Sequence, residues 1–369
     1  MEERRPPLRE SLASLDKLQL VAVLALYLLG MLSIYSAGAG RALRGGELAL
    51  RQGIWGVLSI CAFLVVLHIG YERFFSLAYR IYAGALVLLL GVIVLGLTVK
   101  GAQSWFNLGF FRLQPAEFGK VALALVLGKH LSRFPPNDGP SFVGGLLLAA
   151  ASGVLVLLQP DAGSALVYGI IAFAAIVVAG APRKYSTGLI LGGAALVPFA
   201  WFFLKDYQKL RILVFIDPWR DPLGAGYNVI QSRIAIGSGG LFGKGYMNGL
   251  QSKLRFLPEP HTDFIFSVFS EEFGFVGALL VLLLFGLLFW RMLEAGLRSK
   301  DIRAKILVAG IAAWMWFQVV ESIGMSIGLL PITGLPLPLM SYGGSSLLAL
   351  SIAFALIQSV YISTLKSYE

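Results

Sequence analysis

"LQLVAVLALYLLGMLSIYSAGAG", Leu18 to Gly40, runs for 23 residues without one charged side chain. A helix that long rises about 1.5 Å per residue and crosses the roughly 30 Å hydrocarbon core of a bilayer. The charged residues 1–17 precede it. It lacks the short apolar region and small-residue cleavage site of a secretory signal, so it reads as a retained span. Working outward, similar charge-poor runs recur at about 52–70, 76–99, 115–131, 141–159, 162–181, 186–204, 264–290, 304–329 and 344–365. Hydrophobic residues make up 57% of the chain and charged residues 14%, and the mean hydropathy is +0.78. That is too little charge to cover a water-soluble domain of this length. The expected fold is an all-α integral membrane protein of about ten transmembrane helices, with residues 1–17 as a cytoplasmic N-terminal segment and 18–369 as one polytopic domain. The fourth run is the weakest by hydropathy because Glu117 and Lys120 fall inside it. Its Gln114–Pro115 opening puts proline in the first helical turn, where the missing N–H costs nothing.

Lysine and arginine set the expected orientation. With the N-terminus inside, Arg4, Arg5, Arg9 and Lys17 and the loops around Arg73, Lys129, Arg183, Arg298 and Lys305 are cytoplasmic. The short outer loops hold only Arg41, Arg44, Arg51, Lys100 and Arg112. Both termini are therefore expected in the cytoplasm. The segment 205–263, between helices seven and eight, then forms a large extracytoplasmic loop, of the length that usually carries function. Its cations are Lys205, Lys209, Arg211, Arg220, Arg233, Lys244, Lys253 and Arg255. Within it "YNVIQSRIAIGS" has Val229, Ile230 and Ile234 at helical spacing, which predicts a short helix lying on the membrane surface. The net charge of +10 fits anchoring at anionic lipid headgroups. No RNA-binding signature accompanies it, so nucleic acid is set aside. Cys61 is the only cysteine, and His68, His130 and His261 lack metal-ligand spacing.

Against this apolar background the acidic residues stand out. "PEPHTDFIFSVFSEEFGFVG", Pro258 to Gly277, carries Glu259, His261, Asp263, Glu271 and Glu272. Asp263 closes the basic loop and opens helix eight; capping that helix is the simple reading. Capping does not explain Glu271, about 12 Å deeper and roughly 80° round the helix, nor Glu272 on the far side. A cavity beside helix eight would let Asp263 and Glu271 share solvent and basic partners. "LQPAEFGK" sets Glu117 and Lys120 three residues apart, able to form either a structural ion pair or a functional one. Asp161 in "LLQPDAGSAL" is expected to cap a helix. "GLPLPLMSYGGSSLL", Gly334 to Leu348, is irregular, apolar and uncharged. It fits a cleft-lining segment with Ser341, Tyr342, Ser345 and Ser346 as hydroxyl donors, or a tight outer loop. "GSGGLFGKG", Gly237 to Gly245, departs from the phosphate-loop pattern. It leaves an anion nest that includes Lys244, or else a flexible turn. Glu321 has no partner that the sequence assigns.

Together "WFNLGFFRLQPAEFGK", "LLQPDAGSAL", "QSRIAIGSGGLFGKG", "FLPEPHTDFIFSVFSEEFGFVG" and "GLPLPLMSYGGSSLL" resemble the SEDS family (shape, elongation, division and sporulation). These are the polytopic peptidoglycan polymerases of the FtsW/RodA/SpoVE type, and the RodA-type branch fits best. The resemblance implies a bacterial inner-membrane glycosyltransferase that polymerises lipid II, a disaccharide-pentapeptide on undecaprenyl pyrophosphate, in cell-wall elongation and shape maintenance. It places the catalytic aspartate at Asp263, the functional pair at Glu117 and Lys120, and the loop tryptophan at Trp105. Asp263 would act as general base in an inverting displacement, with His261, Glu271, Ser341 and Tyr342 around the substrate. The charge on the departing pyrophosphate would fall to Arg233 or Lys244, or to a divalent cation such as magnesium or manganese; the sequence identifies no cofactor. The implied partners are lipid II, the growing glycan strand and a class B penicillin-binding transpeptidase, docked on outward faces of helices eight and nine. A lipid II flippase and a non-catalytic scaffold of the wall-synthesis complex are the alternatives.

Overall fold

The computed structural model describes residues 8–39, 44–99, 102–107, 109, 111–204, 206–254 and 256–366. Of the positions weighed above, Arg4, Arg5, Arg41, Lys100, Lys205, Arg255 and residues 367–369 lie outside these ranges. The elements are helices α1 (Leu8–Ala13), α2 (Lys17–Ala39), α3 (Arg44–Ile69) and α4 (Tyr71–Leu95), then strands β1 (Leu97–Val99), β2 (Ala102–Asn107) and β3 (Arg112–Leu113). Next come α5 (Pro115–Arg133), α6 (Gly139–Leu158), α7 (Ala162–Val178), α8 (Arg183–Phe203), α9 (Asp206–Ile216), α10 (Ala225–Ser238) and α11 (Leu250–Lys253). The chain ends with α12 (Ile265–Arg298), α13 (Ile302–Ile327) and α14 (Gly344–Lys366). Seven of these, α2, α3, α4, α6, α12, α13 and α14, are long and apolar enough to cross a membrane.

Helix α5 explains why hydropathy underrates its run. It packs against α4, α6, α7, α13 and α14, and nearly every residue from Pro115 to Leu131 is buried. Its surroundings are protein, so charge within it need not meet lipid. Two expectations need correction. The third run was expected to stay helical to residue 99, but α4 stops at Leu95 and Gly96 turns extended. β1 then pairs antiparallel with β2, and β2 with β3. The helix expected on the membrane surface is α10, which packs against α12 and α13 instead. Buried Ser232 anchors it, with its hydroxyl 2.7 Å from Ser267 Oγ and donating to Ser326 O at 2.6 Å.

α12 is broken. Gly274 sits at φ 67°, ψ −163°, outside helical space. In a membrane-spanning helix such a break exposes backbone groups, each costing several kcal/mol if unpaired. The loop Gly239–Gly245 fills the gap. Lys244 and Gly245 N–H groups donate to Glu271 O and Glu272 O, both at 3.0 Å, while Phe275 and Val276 N–H donate to Gly240 O and Leu241 O at 2.9 and 3.1 Å. The fit is backbone against backbone: a Cβ on Gly243, itself at φ +79°, would lie 2.0 Å from Glu272 O. We expect Gly243→Ala to cost roughly 1–3 kcal/mol or more, read as a lower thermal midpoint in detergent. An unchanged midpoint would show that the loop does not support the break.

Polar contacts collect at the two ends of the bundle. At one end Asp16 pairs with Arg291 (2.7 Å), and the Asp16 N–H donates to Gln358 Oε1 (3.0 Å), tying the start of α2 to α12 and α14. A cavity of about 280 Å³ among Arg298, Tyr361, Thr364 and Leu365 lies at this end. The head of α12 is at the other.

Candidate active site

Asp263 lies half-buried two residues before α12. The N-cap position falls to Phe264, and no side-chain hydrogen bond caps the helix. The turn ahead of it is held by Glu259, at φ 47°, whose carbonyl accepts from Thr262 N–H at 3.2 Å. The apolar loop before α14 clamps this turn from outside. Tyr342 N–H donates to His261 O (2.9 Å), Ser341 Oγ donates to Thr262 O (2.7 Å), and Leu337 N–H donates to Ser341 Oγ (2.9 Å). The His261 and Tyr342 rings meet edge to face at 5.8 Å. The position a Cβ on Gly334 would take is 3.9 Å from Asp263 Oδ2. "HTD" and "GLPLPLMSYGG" thus form one structure, with His261, Ser341 and Tyr342 at its joints.

The clamp rests on α2 and α3. A Cβ on Gly30 would come 2.5 Å from Met340 Cα, so α2 runs hard against the loop. Gly343 N–H donates to buried Gln52 Oε1 (3.2 Å). Ser345 continues the belt, donating to Arg112 O (3.2 Å) and accepting from Gln114 N–H (3.1 Å). Gln114 Nε2 reaches Asp161 Oδ2 (3.4 Å), and Asp161 caps α7 by accepting from Ser164 N–H (2.9 Å) and Ser164 Oγ (2.7 Å). Capping was the reading of Asp161, and capping is what it does. Trp105 stands nearby, half-buried on β2 and paired with Leu97.

Below this belt Lys120 Nζ bonds Glu117 Oε1 at 2.6 Å, with side chains 0% and 2% exposed. The ammonium sits 5.1 Å from the Trp314 ring centroid, and Trp314 Nε1 donates to Gln318 Oε1 at 2.5 Å. Glu117 Oε2 has no hydrogen-bond partner among the described residues.

Three residues take other places than expected. Glu271 is 0% exposed, so it shares no solvent with Asp263; it accepts from Lys244 Nζ (2.8 Å) and Gln251 N–H (3.2 Å). Lys244 is thereby committed to the loop that fills the α12 break. Arg233 donates to Gly328 O (2.9 Å), at the left-handed C-cap of α13, where a cation complements the helix dipole. Among the described residues, Arg211 on α9 reaches the loop before α14, its Nη1 donating to Ile332 O (3.3 Å), two residues before Gly334. Arg211 was one basic loop residue among eight in the sequence, and Gln52 carried no signal there at all.

These features define a multi-pass helical membrane protein with a carboxylate seated at one end of the bundle, under a clamp drawn from five distant stretches of chain. The family model described as a cell cycle protein, FtsW/RodA/SpoVE, matches residues 16–366, and the chain belongs to that family. It is 37% identical over 351 residues to the peptidoglycan glycosyltransferase MrdB of Escherichia coli K12, covering 94% of each chain. It is 35% identical over 355 residues to the stage V sporulation protein E of Bacillus subtilis, covering 94% of this chain and 96% of that one. Among solved structures it matches a chain described under the structural coordination of polymerization and crosslinking by a peptidoglycan synthase complex. There the TM-score is 0.82 and the identity 34%, over 95% of this chain and 98% of that one. The rod shape determining protein RodA of Thermus thermophilus matches with TM-score 0.72 and 32% identity, over 94% and 96% of the two chains.

Proposed function

We propose that the chain is a peptidoglycan glycosyltransferase that polymerises lipid II, with Asp263 as general base. The observation that carries this is the seat of Asp263. Ser341 and Tyr342 hold the backbone just ahead of it, while α12 starts without a side-chain cap. A cap needs no such external clamp; a base that must meet a sugar hydroxyl does. Asp263 takes the proton of the acceptor 4-hydroxyl as that oxygen bonds to the donor's anomeric carbon. The bond from that carbon to undecaprenyl pyrophosphate breaks on the opposite face, inverting the centre. Trp105, Glu117, Lys120, His261, Ser341 and Tyr342 are assigned to substrate or to the walls of its site. With Lys244 and Arg233 engaged elsewhere, Arg211 is the better candidate for the pyrophosphate. Among the described residues no group of three or more His, Cys, Asp or Glu side chains converges to hold a metal ion. A divalent cation at this step would arrive with the pyrophosphate.

The same reading sets the membrane frame. α5, α7 and α8 join the seven long apolar helices to make ten spans, with residues 205–263 outside, both termini cytoplasmic and the chain in the inner membrane. α8 packs against α7 and exposes Ile190, Leu191, Leu196, Phe199 and Phe202, an apolar flank suited to a polyprenyl tail. The match to a peptidoglycan synthase complex supports a class B penicillin-binding transpeptidase as partner. It would dock on the exposed apolar faces of α12 and α13, around Leu279, Leu283 and Trp316.

The test uses purified protein in liposomes loaded with lipid II. Glycan strands are expected. Lipid II crossing leaflets without chain growth would establish a flippase, and neither outcome would leave a scaffold. A chelator in the same assay reveals whether a divalent cation accompanies the pyrophosphate.

A further inference from the structure

The loop from Leu329 to Gly343 has no charged side chain, yet Leu335, Leu337, Leu339, Met340 and Ser341 are all buried. Irregular backbone buried inside a membrane protein needs partners for its N–H and C=O groups. Leu339 lies at φ 65°, a conformation that a leucine keeps only where its surroundings hold it. Buried polar side chains reach the loop at both ends. At its start the Thr333 hydroxyl donates to Glu321 on α13. At its end stands Gln52 on α3, 1% exposed.

Gln52 is matched to the three residues that seat the base. Its Oε1 accepts from Gly343 N–H at 3.2 Å, and its Nε2 reaches Ser341 O at 3.5 Å. Between those two groups, Tyr342 N–H donates to His261 O at 2.9 Å, while Ser341 Oγ donates to Thr262 O at 2.7 Å. One side of Ser341–Gly343 thus meets Gln52, and the other meets the turn that carries Asp263. A carboxamide offers a donor and an acceptor at the tip of one side chain, so it holds both ends of the tripeptide at once. Gln52 is itself held. The Tyr27 hydroxyl on α2 donates to Gln52 O at 3.0 Å. Three residues on, Trp55 lies against Gly344, where a Cβ would come 2.0 Å from its ring. α3 and α14 are joined again by the Ser351 hydroxyl, which donates to Ser59 O well beyond the clamp.

We propose that Gln52 is a positioning residue for Asp263: through Ser341–Gly343 it sets the place of the turn from which the base reaches the acceptor hydroxyl. The inference rests on the assignment of Asp263 above. A base contributes only within hydrogen-bond reach of the proton it takes, and a displacement of about 1 Å can cost roughly a hundredfold. Without the carboxamide, Gly343 N–H and Ser341 O lose their partner, and the clamp relaxes on the side away from the turn. The loss falls on the chemical step, where the proton-transfer distance matters, and not on lipid II binding.

The experiment is steady-state polymerisation of lipid II by the full chain in liposomes, below the unfolding temperature of every variant. Gln52→Met keeps the length of the side chain and removes both polar atoms. Its kcat is expected to fall about ten- to a hundredfold with KM little changed. Should Gln52→Met fail to fold, Gln52→Asn takes its place; it keeps the carboxamide but draws it back by one methylene, and the same split is expected. Ser351→Ala loosens the same pair of helices away from the clamp and is expected to keep the wild-type kcat. Wild-type kcat in the folded Gln52 variant, a loss confined to KM, or an equal loss of kcat in Ser351→Ala overturns the inference. Asp263→Asn is run alongside. Polymerisation by it at the wild-type rate removes the base assignment itself. Its inactivity, with wild-type kcat in the Gln52 variant, removes only the role of Gln52.

Discussion

Lys120→Met lowers the stability of the protein by roughly 3–5 kcal/mol, because it strands a carboxylate inside the bundle. Lys120 Nζ is 2.6 Å from Glu117 Oε1, with neither side chain reaching solvent. The opposite oxygen of Glu117 already lacks a partner among the described residues. Methionine fills the space beside Trp314 but brings no charge. Adding Glu117→Leu removes the orphaned charge, and the double variant is expected to recover most of the loss, as apolar replacements of buried pairs commonly do. Thermal or denaturant unfolding in detergent measures both. A loss below about 1 kcal/mol in Lys120→Met would mean that water or lipid headgroups reach the pair. Activity separates the two readings that the sequence left open. A double variant that is stable and still polymerises makes the pair a packing device; one that is stable and inactive makes it part of the site.

The legible parts of this molecule were those that local chemistry dictates. Long uncharged runs announce helices because burial in lipid tolerates little else, and Asp161 announces a cap because a carboxylate at a helix start has free N–H groups to accept from. Asp263 stands out in the sequence because it is a carboxylate where a basic loop meets an apolar run, and the structure shows that the cap expected of it is absent, with Phe264 at the N-cap. What escaped depends on contacts between distant stretches. Lys244 and Glu271 lie 27 positions apart, and their pairing follows from the break at Gly274, which a glycine in an apolar run does not announce. Gln52 supports the clamp from a position 291 residues before Gly343. Amphipathic spacing in α10 was read as a membrane-surface helix, since the same pattern suits a helix docked on protein. β1, β2 and β3 follow because a turn at Gly96 ends a helix whose apolar pattern runs on through Val99. Glu321 was visible as an oddity, and only the fold supplied its neighbour.

Asp263→Asn should cut polymerisation by about 10²- to 10⁴-fold, the usual contribution of a positioned general base. The amide is nearly the same shape as the carboxylate, and the backbone bonds to His261 O and Thr262 O that fix the turn do not involve the Asp263 side chain. Lipid II binding should therefore survive while turnover does not, a loss in kcat with little change in KM. The deciding measurement is the initial rate of glycan-strand growth from lipid II in liposomes, Asp263→Asn against wild type at equal protein and matched lipid II binding. A drop of at least about a hundredfold with binding retained is what a base at the head of α12 requires. Strand growth at the wild-type rate would show that the proton leaves by another route and that Asp263 is only part of the wall.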